Sequence, residues 1–154
     1  MIVLPYLQTS DEATKNAPST RMRSVTTLPM GTLSIITYNK DIAKFRLIDC
    51  NINGSYLYTV SQEMQNFKPD IVGLTMTFDN SYSYLGEILQ TVRYLNPKIT
   101  IVIGGAATVP IQTYKTILTE QKDINAVCFH DGEIPVRDLI QHGNFNNQIG
   151  RAHV

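Results

Sequence analysis

Along the chain, short apolar runs rich in β-branched residues recur with helix-periodic stretches between them. Five runs stand out: Ile2 to Leu7, Phe45 to Cys50, Ile71 to Met76, Ile99 to Ile103 and Ala126 to Phe129. Several are continuously apolar, as expected of strands buried on both faces. Each is followed by a stretch with helical spacing. The clearest runs from Ser81 to Leu95, where Leu85, Ile88, Leu89 and Val92 repeat at three- and four-residue intervals and form one buried stripe. Asn80 or Ser81 can cap its start, and Asn96-Pro97 ends it. A second helix puts Leu57, Val60, Met64 and Phe67 on one face, after an Asn53-Gly54 turn and before Lys68-Pro69. Met30 to Asn39, Ile111 to Thr119 and Glu133 to His142 complete the set. Pro110 and Pro135 fall where a first helical turn tolerates proline, and Gly143 supplies a final stop.

Strands alternating with helices mark a parallel sheet built from crossover units. The expected fold is therefore α/β: a three-layer, doubly wound, Rossmann-like five-stranded parallel sheet, with the flavodoxin-like strand order the commonest at this size. Ligands of such sheets bind beyond the carboxyl ends of the strands, so function belongs to the segments that follow each strand. These are Gln8 to Leu28, Thr75 to Asn80, Gly104 to Pro110 and His130 to Glu133. The first is polar and about twenty residues long, well beyond the ~4–6 of an ordinary connection, which fits either a binding loop or disorder.

Composition narrows the function. A chain of 154 residues closes one core and leaves no room for a second, catalytic domain. Thirteen basic and thirteen acidic residues cancel, so nothing attracts nucleic acid or an anionic membrane. No apolar run approaches the ~20 residues that span a bilayer, and the opening MIVLPYL lacks the basic start and cleavage site of a secretory leader. A cytoplasmic location is expected. Cys50 and Cys128, far apart and both in apolar strand contexts, read as buried free thiols rather than as a disulfide or zinc site.

Candidate chemistry is sparse. Gly104 and Gly105 close the fourth strand and permit a close approach by a ligand or by backbone; a tight turn explains them equally well. Thr75 and Thr77, flanking Met76, place two hydroxyls on one side of a strand end, although threonine is also an ordinary strand residue. Asp131-Gly132-Glu133 opens the last helix, where Asp131 suits an N-cap. Asp70 starts the third strand, at the sheet edge away from any ligand, and is assigned a structural role. His130, His142 and His153 lack partners nearby in sequence. GxGxxG and GxxxxGK[ST] fingerprints are absent, as are nucleophile triads and paired carboxylates, so no catalytic residue is assigned. On these residues alone the chain is a binding module.

Taken in order, several segments resemble the cobalamin-binding domain that precedes the catalytic domain in one class of radical S-adenosylmethionine (radical SAM) enzymes. They are Leu28-Pro29-Met30-Gly31-Thr32-Leu33, Arg46-Leu47-Ile48-Asp49, Lys68-Pro69-Asp70-Ile71-Val72-Gly73-Leu74-Thr75-Met76-Thr77, Ile101-Val102-Ile103-Gly104-Gly105-Ala106 and Asp131-Gly132-Glu133 with Leu139-Ile140 behind it. The resemblance spans Ile2 to about Gly143. It implies cobalamin as ligand, held by Thr75, Met76, Thr77, Gly104, Gly105, Ala106, Thr108, Asp131, Gly132 and Glu133, with the nucleotide tail running along the sheet beside the glycine loop. Corrinoid carriers of methyl transfer share the fold but ligate cobalt through a DxHxxG histidine, which is missing here, so no histidine lower ligand is expected. It also implies a missing half. S-adenosylmethionine and a [4Fe–4S] cluster would sit in a C-terminal radical SAM domain, because two distant cysteines cannot supply CxxxCxxC. On this basis residues 1–143 form the cobalamin-binding domain, 144–154 begin a connector, and the chain is a fragment that is not catalytic by itself.

Two alternatives use the same fold. A flavodoxin-like interaction or signalling domain would bind no cofactor; its receiver variant fits poorly, since Asp79 is off the strand end and no lysine follows Phe129. A flavin or nucleotide binder would need a phosphate loop, for which only Ser19, Thr20 and Arg21 offer material.

Overall fold

The computed structural model describes residues 1–4, 28–50, 56–77, 82–108, 111–128, 131–143 and 151–153. Strands β1 (Ile2–Leu4), β2 (Leu47–Asp49), β3 (Ile71–Thr75), β4 (Thr100–Gly104), β5 (Ala126–Cys128) and β6 (Arg151–His153) form one sheet. Helices α1 (Met30–Asn39), α2 (Tyr56–Phe67), α3 (Tyr82–Leu95), α4 (Ile111–Glu120) and α5 (Glu133–His142) alternate with them. The order is β2-β1-β3-β4-β5-β6, and the first five strands are mutually parallel. This is the flavodoxin-like doubly wound order expected from the alternation.

The pattern did not announce β6. Residues 151–153 pair antiparallel with β5, Val127 opposite Ala152 and Cys128 opposite Arg151. Arg-Ala-His has no β-branched residue and no alternation, so the ladder alone makes it a strand. Several expected features lie outside the described residues: strand one beyond Leu4, the Gln8 to Thr27 stretch, the Asn53-Gly54 turn, the Asn80 or Ser81 cap, Pro110 and His130. Among the described residues, no helix is long and apolar enough to cross a membrane.

Successive strand residues face opposite sides, and the two sides are filled very differently. On one face Val3, Val72, Leu74, Met76, Ile101 and Ile103, all 0–2% exposed, meet Val60 and Met64 of α2, the Leu85, Ile88, Leu89 and Val92 stripe of α3, and Ile117 of α4. Close packing of this kind forms most of the core. On the other face, under α1 and α5, the buried cluster among the described residues is small, Val102, Cys128 and Leu139 with Ile71 beside them, and Ile2 and Leu4 are buried there too. The sheet there carries glycine and threonine where the first face carries leucine and isoleucine.

At the amino edge of the sheet Arg93 joins three elements. Its Nε donates to the Asp123 carbonyl (3.1 Å), Nη1 to the Pro97 (3.1 Å) and Ile99 (2.5 Å) carbonyls, and Nη2 to Asn125 Oδ1 (2.9 Å) and again to the Asp123 carbonyl. Asn125 Oδ1 also accepts the Ile101 N–H at 2.8 Å. One guanidinium thus fixes the end of α3 to the approaches of β4 and β5.

Two local features give measurable consequences. Lys68 closes α2 with φ 48°, its N–H donating to the Met64 carbonyl at 3.2 Å. A side chain in that left-handed conformation is strained, and glycine is the usual solution. Lys68→Gly is expected to stabilise the fold by about 0.5 kcal/mol after the added unfolded-state entropy is subtracted, read as a higher urea midpoint. Cys50 is 0% exposed, and burial first, then the nearby Asp49 charge, pushes its thiol up to about 12. Because the thiolate is the reactive form, Cys50 should resist iodoacetamide at pH 8 in the native protein and label fully in urea, as peptide mapping by mass spectrometry would show.

Candidate functional site

The sparsely packed face is where the site lies. Between the sheet and the α1/α5 layer runs a cavity of about 1030 Å³. Its floor is built from alternate residues of neighbouring strands: Ile2 and Leu4 of β1, Gly73 and Thr75 of β3, Val102 and Gly104 of β4, and Cys128 of β5. The register sets Gly73 beside Val102 and Thr75 beside Gly104. Two glycines therefore lie one step apart diagonally on adjacent strands, and together they hollow the floor.

Neither of these two glycines is demanded by its protein neighbours. A Cβ on Gly104 would meet Cys128 Cβ at 3.5 Å and its carbonyl at 3.6 Å, and one on Gly73 would meet Ile2 at 3.7 Å, all ordinary contacts. The missing side chains open space and do not relieve a clash. Gly105 is different. Its φ is +114° and a Cβ would lie 2.3 Å from the Met76 carbonyl oxygen, so backbone geometry alone requires glycine. Bulky replacement at either Gly104 or Gly105 looks equivalent in the sequence, with the fold intact in both cases; the structure corrects that for Gly105, where the fold itself would give way.

The roof is α1 and α5, fastened to each other. Ser34 Oγ donates to Glu133 Oε1 at 2.5 Å, and buried Asn39 donates through Nδ2 to the carbonyls of Ile35 (2.9 Å) and Glu133 (3.1 Å). Farther along, Arg137 forks onto both oxygens of Asp41 (2.9 and 2.7 Å), reaches the Tyr38 carbonyl (3.1 Å) and stacks over the Tyr38 ring at 5.7 Å. Hydrogen bonding to Arg137 holds the Asp41 carboxyl below its ordinary range. Gly132 lets the helices approach, since a Cβ there would meet Ile35 Cδ1 at 2.7 Å.

These positions sort the residues singled out above. Thr75, Thr77, Gly104, Gly105, Ala106, Asp131, Gly132 and Glu133 all border the cavity. The Thr75 hydroxyl lies 3.4 Å from that of Thr32 on α1. Met76 does not belong to the cavity: alternation turns its side chain into the opposite core, where it is 0% exposed. Thr108 is likewise consumed internally, its Oγ1 donating to the carbonyls of Gly105 (2.8 Å) and Cys128 (3.1 Å) to hold a 3₁₀ turn at Ala106–Thr108. Asp131 is not the N-cap. Gly132 occupies that position and, having no side chain, supplies no cap hydrogen bond, and Asp131 is left exposed at the cavity mouth. Asp70 borders the far mouth of the cavity instead of lying clear of it. His142 is exposed at the end of α5, and among the described residues no histidine borders the cavity.

Sequence reasoning missed Gly73, Thr32 and the roof pairs. Gly73 carried a usable signal, a glycine inside an otherwise β-branched run, which marks close approach of something other than the strand's own packing. The pairs Ser34–Glu133 and Asp41–Arg137 join residues nearly a hundred positions apart and have no local signature. Among the described residues no group of histidine, cysteine and carboxylate side chains could hold a metal ion.

A family model described as the B12 binding domain matches residues 23–140. No curated protein matches the chain. Among solved structures, the apo form of the cobalamin-dependent S-adenosylmethionine radical enzyme OxsB superposes with TM-score 0.65 and 22% identity, over 81% of this chain and 18% of that one. OxsB with aqua-cobalamin bound gives TM-score 0.64 and 19% identity, over 99% of this chain and 20% of that one. The chain thus spans about a fifth of the length of these enzymes, and at such identity they support the fold alone. The family assignment rests on the domain match over most of the sequence: this chain belongs to the B12-binding domain family.

Proposed function

We propose that the domain binds a cobalamin with its nucleotide tail in the cavity between the sheet and the α1/α5 roof, as the cofactor module of a radical SAM enzyme. The single observation that carries this is the hollowed floor: Gly73 and Gly104 are glycines for which the protein's own packing has no use. A large ligand entering from the carboxyl edge does have a use for them. Thr75 and Thr77 would offer hydroxyls at the polar rim, Gly104 and Ala106 backbone close to the ligand, and Ile2, Val102 and Leu139 apolar contact deeper in. With no DxHxxG in the sequence, cobalt would have no histidine from this chain.

Bound cobalamin supplies either a methyl donor or a cobalt-centred redox partner. This chain's part is to bind, orient and shield. The S-adenosylmethionine and the [4Fe–4S] cluster of the parent enzyme, and the reaction itself, would belong to a C-terminal domain, toward which residues 144–154 lead after adding β6 to this domain's sheet. Such an enzyme acts in the cytoplasm.

The test is to mix the purified chain with hydroxocobalamin, remove free ligand by gel filtration and quantify corrinoid in the protein peak. One equivalent retained is expected. A colourless peak of folded protein would contradict the proposal and favour an interaction module on the same fold.

A further inference from the structure

At the amino edge of the sheet, opposite the end where the cofactor is placed, connecting loops build a second mouth. Lys44 and Phe45 border it from between α1 and β2, and Phe67, Lys68, Pro69 and Asp70 from between the end of α2 and β3. Because β1 runs between β2 and β3, the two loops flank its start. The length of β3 alone, Ile71 to Thr75, sets this mouth roughly 13 Å from the threonine rim at ~3.3 Å per residue. Lys68, Pro69 and Asp70 also border a separate recess of about 520 Å³ between the ends of α2 and α3. Lys68 is held at a left-handed φ of 48°, where glycine is the usual helix stop. Its ammonium does not offset that strain from within: it is exposed, and among the described residues all three ion pairs use arginine. The dipole of α2 would be served as well by a lysine in its last turn, where no strain arises, yet that turn carries no basic residue. A strained side chain that the fold does not use points to a use outside the fold.

We propose that this amino-edge mouth is a second binding site, separate from the cofactor's, for a small organic anion with a flat apolar body. Lys44 and Lys68 are both exposed there, and the one carboxylate beside them is Asp70, so the mouth is left with a net positive charge. Neighbouring cations do not change that sum. Arg46, over the Phe67 ring at 5.8 Å, is neutralised by Glu63 at 3.0 Å. The Met1 ammonium donates inward to the Ile71 carbonyl at 2.8 Å, and burial lowers it to about 6, so it adds little charge at neutral pH. Next to the two lysines stand the half-buried rings of Phe45 and Phe67 and the buried Pro69. The ammonium groups take the anion, and the rings take the flat body. Glycine at position 68 would relieve the backbone and cost the site one of its two cations, a trade of stability for binding.

Phenyl phosphate is the probe, with inorganic phosphate and benzyl alcohol as its charged and apolar halves. Each is titrated into the isotope-labelled whole chain, without cobalamin, and followed by NMR at the backbone amides of Lys44, Phe45, Lys68 and Asp70. Phenyl phosphate should shift these amides and bind more tightly than either half. Lys68→Gly should weaken it by about threefold or more, the scale of one exposed charge, even as the urea midpoint rises. Asp70→Asn, which removes the opposing carboxylate, should tighten it. Lys98→Ala removes an exposed lysine from the same edge but outside both recesses, and should leave the affinity unchanged. No shift of these amides at millimolar phenyl phosphate, or full affinity in Lys68→Gly, would overturn the site. Equal weakening by Lys98→Ala would reduce it to the general charge of the edge, and equal affinity for benzyl alcohol would remove the anion from the recognition. Because cobalamin is absent throughout, failure here leaves the cofactor proposal standing.

Discussion

Gly104→Val is expected to abolish cobalamin binding, by a hundredfold or more, about 2.7 kcal/mol, while the protein melts within a few degrees of the unaltered chain. The first valine carbon finds ordinary contacts with Cys128, and a β-branched residue suits a strand. Its two methyls, however, project into the floor where the ligand must lie. Gly105→Val should behave in the opposite manner. Its φ of +114° and the 2.3 Å approach to the Met76 carbonyl leave no unstrained arrangement, so a loss of about 3 kcal/mol in stability is expected before binding is considered. Thermal melts and corrinoid retention, measured on both variants, separate the two roles. Normal binding by a folded Gly104→Val would place the ligand elsewhere.

The largest effect on stability outside the glycine loop is expected at Arg93. Replacement by alanine removes a cation that serves the carbonyls of Pro97, Ile99 and Asp123 and the Asn125 amide oxygen. With the arginine side chain only 18% exposed, several of those acceptors lose a partner that water replaces incompletely. A loss of about 2–3 kcal/mol follows. Lysine should recover little of it, since a single ammonium cannot span acceptors on three elements. The Arg93–Asp123 carboxylate approach, at 3.8 Å with Asp123 57% exposed, adds little to this. Chemical denaturation of both variants gives the answer, and full stability in Arg93→Lys would shift the credit from the fork to the charge alone.

The fold was legible because its signals are local. A stripe such as Leu85, Ile88, Leu89 and Val92, or a run such as Ile99 to Ile103, states its own structure, and crossover handedness restricts the rest. Helix bounds at Met30–Asn39 and Glu133–His142 emerge as read, with Gly143 in the left-handed conformation at φ 66° that its position suggested. The site was only half legible. Residues at the strand ends were found by topology, because parallel sheets put ligands there. Which of them face the cavity depends on strand parity: Thr75 and Met76 are consecutive, and they lie on opposite sides of the sheet. The parity that joins the two threonines is enough to exclude Met76. The demand behind each glycine was not legible, since Gly104 and Gly105 differ in backbone conformation and in what surrounds them, neither of which a Gly-Gly pair announces. Nor was the roof, whose fastenings join α1 to α5 across most of the chain.

The visible spectrum of methylcobalamin bound to this chain tests the central claim most directly. Free methylcobalamin at neutral pH keeps its own benzimidazole on cobalt. If the tail occupies the cavity beneath α1 and α5 and no histidine takes its place, the bound cofactor shows the base-off spectrum at neutral pH. A bound cofactor that retains the base-on spectrum would mean that the tail never enters the cavity, and that Gly73 and Gly104 do not hollow the floor to receive it.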